Sequence, residues 1–135
     1  MVEETDTPEG NRETPEEEYA TPDLRACTFS VGERVYSVDM EYLRGVAELT
    51  EVVPLPLSPA YVEGIAPLRG SAVPVVNLAV LKETPEEKAP ERWLIVLEVE
   101  REFLGIAVNE MPDLSEDYKG EFIDVPEFFE TYRVR

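Results

Sequence analysis

The stretch "RWLIVLEVEREFLGIAVNEM", residues 92–111, confines this chain to a narrow range of folds. Two runs, "RWLIVLEVE" and "EFLGIAVNEM", are too short for long helices and rich in Val, Ile and Phe. Joined at residues 100–102, they read as a β-hairpin. "RACTFSVGERVYSVDM" alternates about a Gly32-Glu33 turn and reads as a second hairpin. "EYLRGVAELTEVVPL" opens on a helical turn and continues as a strand from about Val46 to Val53. Pro54, Pro56 and Pro59 make "PLPLSP" an extended loop, in which Leu55 and Leu57 are expected to point inward.

"SAVPVV" reads as a strand after Gly70, and "NLAVLK" as a short helical turn capped by Asn77. "ETPEEKAPE" is a charged loop. "PDLSEDYKGEFIDVPEFFE" reads as loop with a short strand near residues 121–125, and "TYRVR" as the start of another strand. Short strands, frequent turn signals and no long amphipathic helix imply an all-β fold, one small barrel or a pair.

The chain divides into two parts. Residues 1–22 are rich in Glu, Thr and Pro and poor in apolar side chains. They are expected to be a disordered acidic tail ahead of a folded domain over residues 23–135. The net charge of −18 argues against nucleic-acid binding, which needs Lys and Arg to neutralise phosphates, and against docking on anionic lipid. No apolar run approaches the ~20 residues that span a bilayer, and the first residues are acidic, unlike a signal peptide. With a single cysteine, Cys27, no internal disulfide can form, and a cytoplasmic location is expected.

Catalytic chemistry finds little footing. The absence of histidine removes Ser-His-Asp and Cys-His arrangements and the commonest general base and zinc ligand. Cys27 sits in an alternating run and reads as core. Asp113, Glu116 and Asp117 lack the glycine and spacing of a calcium loop. The reading is a binding module with no cofactor, no metal and no enzymatic activity; a small acidic-site hydrolase is the remote alternative.

Arg69 stands out. It lies inside the apolar run "GIAPLRGSAVPVVNLAVL", flanked by Leu68 and Gly70. Either it pairs with an internal carboxylate or backbone carbonyls to fix a turn, or it anchors a partner beside a groove.

The segment "PAYVEGIAPLRGSAVPVVNL" resembles the CheW-like family, chemotaxis coupling proteins that join the histidine kinase CheA to chemoreceptors. The resemblance is carried by Pro59, Tyr61, Val62, Gly64, Ile65, Leu68, Arg69, Gly70, Pro74, Asn77 and Leu78. "FSVGERVYSVDM" and "WLIVLEVEREFLGIAVNEM", with Gly105, are similar to the family's first and central hairpins. The resemblance runs over residues 25–135 and implies two intertwined SH3-like β-barrels with a groove between them. It also implies two partners, a chemoreceptor's cytoplasmic tip and the regulatory domain of a CheA-like kinase, with the protein recruited to membrane receptor arrays but not inserted in the membrane. On that basis Leu43, Gly45, Val46, Gly64, Ile65, Leu68 and Arg69 are the expected receptor-binding residues. Phe103, Leu104, Gly105 and Ile106 are the expected kinase-binding residues, about half of them facing inward because strand side chains alternate.

Three departures accompany the resemblance. Gly45 stands where many members carry a glutamate, Asn77 replaces a commoner aspartate, and members usually add a turn, an apolar strand and a short helix after the segment like "TYRVR". The alternative reading is a CheW-like regulatory module that binds a single kinase in a non-chemotactic pathway.

Overall fold

The structure is a computed structural model that describes residues 23–132; the acidic segment 1–22 and the last residues, 133–135, lie outside the described residues. Strands β1 (Ala26–Val31) and β2 (Arg34–Asp39) form the first hairpin. Gly32, at φ +60°, opens its turn; a Cβ there would lie 2.7 Å from the Pro85 carbonyl oxygen. A 3₁₀ turn, Met40–Tyr42, leads into β3 (Leu43–Glu48). There follow β4 (Val62–Leu68), β5 (Ser71–Val76), α1 (Leu78–Leu81), β6 (Trp93–Val99) and β7 (Glu102–Val108). The described chain closes with β8 (Asp113–Ser115), β9 (Glu121–Phe122) and α2 (Val125–Tyr132).

These strands make two sheets, ordered β9-β2-β1-β8 and β3-β6-β7-β5-β4. The chain leaves the first sheet after β2, builds the whole of the second, and returns for β8 and β9. The halves are therefore intertwined, as the all-β, two-barrel expectation requires.

The second sheet curls because the segment after β3 reaches back to β4. Val53 and Ile65 exchange two backbone hydrogen bonds, each 2.8 Å. The approach needs Gly64, at φ +147°, where a Cβ would sit 2.2 Å from the Val53 carbonyl oxygen. A barrel this small takes small side chains. Its interior holds Ala66, Val73, Val75, Leu94, Val96 and Ala107. Gly105 makes room for Leu94, whose Cδ1 would stand 2.6 Å from an added Cβ.

The other face of the second sheet is buried as well. Ile95, Leu97, Leu104, Ile106 and Val108 pack into a larger core with Phe29, Tyr36 and Val38 of the first sheet and Phe128 and Phe129 of α2. Cys27 is fully buried in this core, and desolvation pushes its thiol up to about 11, so it packs as a small hydrophobe.

Several sequence expectations change here. Thr131 and Tyr132 end helix α2 instead of starting a strand. Asp124 caps that helix, accepting from the Glu127 N–H at 3.1 Å, and its buried side chains drive the turn onto the core. Strand β3 begins at Leu43 and ends at Glu48, since Val53 makes only the isolated bridge to β4. Leu57 is fully exposed at φ +64°, because the turn at Pro56-Leu57 projects it away from the barrel; Leu55 is only half-buried. Asn77 does cap α1, accepting from the Val80 N–H at 3.1 Å.

One ion pair ties the second barrel to the charged loop that precedes β6. Glu63 on β4, 7% exposed, takes two hydrogen bonds from Arg92 at 2.8 and 3.0 Å and one from Asn77 at 2.9 Å. Burial pushes this carboxyl up, but the Arg92 hydrogen bonds and charge, with Lys88 and Asn77, outweigh it and hold the group below its ordinary value. Glu63→Gln should therefore lower stability by about 2 kcal/mol at pH 7, less than the usual loss for a broken buried pair because Arg92 keeps some solvent. A depressed carboxyl contributes stability above its unfolded-state value and loses it as pH falls. Urea midpoints of wild type and variant should thus converge as pH drops below 4.5, the group's ordinary value.

Candidate functional site

Strand register gathers one end of the second barrel. Parallel pairing of Val75 with Gly105 brings the start of β5 beside the start of β7, so the turns before those two strands are neighbours. Antiparallel pairing of Leu43 with Leu97 puts the start of β3 at the same end. Edges β3 and β4 meet at Val53 and Ile65 but part towards this end. A cleft of about 500 Å³ opens in the parted seam. Its walls are Arg44, Gly45, Val46 and Ala47 on β3, and Leu68, Arg69, Ser71 and Val73 on the β4–β5 hairpin; Val96 and Phe103 complete it. All of these residues belong to the second sheet or its turns, so the cleft opens into one barrel and does not lie between the two.

The cleft is apolar within and cationic at its rim. Arg44 is displaced outward by a register shift between Leu43 and Gly45, and pairs loosely with Glu98 at 3.5 Å. Gly45 leaves open space beside it, with no atom within 4 Å of an added Cβ. No carboxylate lines the cleft, although the chain carries a net charge of −18.

Arg69 and Gly70 are the two central residues of the β4–β5 hairpin, with Leu68 paired to Ser71. Their φ values of +49° and +83° suit the left-handed turn that matches strand twist. Glycine and asparagine enter that region readily; an arginine pays a steric penalty at its Cβ. Arg69 is exposed and has no hydrogen-bond or ion-pair partner among the described residues, so the carboxylate pairing weighed from sequence is not formed. The turn thus carries backbone strain at a residue with no polar partner among the described residues. Arg69→Asn should raise stability by about 1 kcal/mol in a denaturant titration, because asparagine relieves the turn and no contact is lost.

A family model for the CheW-like domain matches residues 25–116. The chain belongs to the CheW-like domain family. Chemotaxis protein CheW of Treponema pallidum (strain Nichols) is 35% identical over 91 residues, which is 64% of this chain and 54% of that protein. The probable chemotaxis protein CheW of Rhizobium etli is 29% identical over 93 residues, 68% of this chain and 60% of that protein. This CheW-like chain thus matches little more than half the length of those relatives. The solved structure of the scaffolding protein TtCheW from Thermoanaerobacter tengcongensis shares its fold, with a TM-score of 0.62 at 22% identity over 76% of this chain and 67% of that one.

Within this CheW-like domain, four expected receptor-binding residues meet at the cleft: Gly45, Val46, Leu68 and Arg69. Leu43, Gly64 and Ile65 do not line it. Leu43 packs against the larger core, while Gly64 and Ile65 hold the closure to Val53. Of the expected kinase-binding residues, Phe103 lines the cleft and is half-buried. Leu104 and Ile106 are buried in the larger core and Gly105 lies under Leu94. Both faces of β7 are covered at these positions, so neither half of the run points to solvent.

Sequence reasoning missed Arg44. The signal was present, for the triplet Leu-Arg-Gly occurs twice, at residues 43–45 and 68–70, and the fold brings Arg44 and Gly45 of one copy and Leu68 and Arg69 of the other to one cleft. Asp113, Glu116 and Asp117 form no metal site; among the described residues no group of three or more carboxylate or cysteine side chains could hold an ion. No helix among them is long and apolar enough to cross a membrane.

Proposed function

We propose that this CheW-like chain is a non-catalytic adaptor in chemotaxis signal transduction, which couples a chemoreceptor to a CheA-type histidine kinase. The observation that carries the reading is Arg69, exposed and without a polar partner among the described residues, at a strained turn over an apolar cleft in a domain of this family. The receptor's helical tip is the partner assigned to the cleft. Val46, Leu68 and Phe103 would take its apolar face, and Arg69 would take an acidic or carbonyl group at its rim. The kinase's regulatory domain meets the protein elsewhere. At this end of β7, Glu102, Phe103 and the exposed turn at Glu100 and Arg101 offer it surface, so Leu104, Gly105 and Ile106 would act by shaping the strand. The setting would be the cytoplasmic face of receptor arrays.

A single-partner regulator of one kinase is the second reading, favoured by Gly45, which puts no side chain into the cleft where many relatives would place a glutamate. Calorimetric titration of the full chain with a receptor-tip fragment and, separately, with a kinase regulatory domain decides between them. Binding to both supports coupling. Binding to the kinase domain alone supports the single-partner reading, and binding to neither overturns both.

A further inference from the structure

The cleft's chemistry is the reverse of the chain's own. Arg44 and Arg69 stand at its rim with no carboxylate among the residues that line it, in a protein with thirty Asp and Glu against twelve Lys and Arg. Where do the carboxylates concentrate? Residues 1–22 hold Glu3, Glu4, Asp6, Glu9, Glu13, Glu16, Glu17 and Glu18 against Arg12 alone, and their one aromatic residue is Tyr19.

The tail also starts in the right place. The Arg25 carbonyl accepts a hydrogen bond of 2.8 Å from the N–H of Met40. Met40 opens the 3₁₀ turn that runs directly into β3, whose second residue is Arg44. The described chain therefore begins beside the root of the cleft. From Arg25 back to Tyr19 an extended chain reaches about 20 Å, at ~3.3 Å per residue.

We propose that the acidic segment around Glu16, Glu17, Glu18 and Tyr19 docks in this cleft, with its carboxylates on Arg44 and Arg69 and the Tyr19 ring on the apolar wall formed by Val46 and Phe103. This adds regulation to the coupling site proposed above and rests on that reading for its consequence, but the contact itself is tested with no partner present. Each ion pair is weak, since both arginines are solvated. The tether compensates, because the short stretch between Tyr19 and Arg25 holds the segment at an effective concentration on the order of millimolar. The docked tail is a screen that a tight partner displaces and a weak one does not.

The test uses the full chain with Glu13→Cys carrying a nitroxide. Cys27 is fully buried, so the label goes to the new thiol. Amide signals of Gly45, Gly70 and Phe103 are expected to lose more than half their intensity at 50 mM salt, while those of α1 at the other end of the barrel keep theirs. The loss should disappear at 0.5 M salt, where the Debye length shrinks to about 4 Å. It should disappear too when Glu16→Lys, Glu17→Lys and Glu18→Lys are combined. Equal broadening at both ends of the barrel would overturn the docking, as would cleft broadening that survives the triple substitution. A receptor fragment that fails to bind would sink the coupling reading and leave the broadening result standing.

Discussion

Gly64→Ala should destabilise the protein by about 4 kcal/mol or more and open the second barrel along its seam. Gly64 sits at φ +147°, a region closed to residues with a Cβ, and the added methyl would lie 2.2 Å from the Val53 oxygen and 2.7 Å from its carbonyl carbon. The backbone strain and the forced displacement each cost about 1–3 kcal/mol. Displacing Val53 also breaks its paired hydrogen bonds with Ile65, at about 1 kcal/mol each. Gly70→Ala is the matched control. Gly70 shares a positive φ, +83°, but has open space around it, so only the backbone penalty of about 1–2 kcal/mol applies. Chemical denaturation of the two variants separates closure from turn strain. Equal losses would mean that the Val53 contact does not hold the seam.

Arg69→Glu should act in the opposite way, leaving stability unchanged and weakening capture of a receptor-tip fragment by about 30–100-fold. Arg69 contributes no contact within the described chain, and glutamate enters the left-handed turn with much the same penalty, so the melting temperature has no reason to move. Removing an arginine anchor at a binding site commonly costs 2 kcal/mol or more, about 30-fold, and a reversed charge adds repulsion against the same partner group. Affinity for the kinase regulatory domain should be untouched. A variant that unfolds, or that binds the receptor fragment as wild type does, would remove Arg69 from the recognition surface.

Much of this architecture can be read in the sequence, for reasons that differ from element to element. The two hairpins, at residues 26–39 and 93–108, announce themselves because each is a pair of β-prone runs about a short turn. Asn77 announces α1 because its side chain can satisfy a free N–H. Helix α2 is hidden by its length. Val125, Phe128, Phe129 and Tyr132 do have helical spacing, and Asp124-Val125-Pro126 is a starting signal, but two turns of helix need a core to stabilise them. The kinase-side residues fail for a different reason. Alternation along β7 tells two faces apart but cannot say that both are buried, one in each core. At the cleft, Arg69 is legible because an arginine is anomalous in an apolar run. Arg44 becomes so only when its copy of the same triplet is seen to arrive beside it.

The return of the chain to its first sheet has a consequence for how the protein is made. Strands β3 to β7 are contiguous in sequence and can assemble while the rest is still being synthesised. Strand β1 must wait for its second partner, because Ala26 pairs with Ser115 and Cys27 with Leu114, across the entire second barrel. Loop closure of that length is slow, and the first hairpin is left meanwhile with both edges exposed and an uncovered apolar face. The second barrel, with its arginine cleft, is thus poised to form first on the ribosome, and the first barrel condenses onto it late, as the lid of a structure already half built.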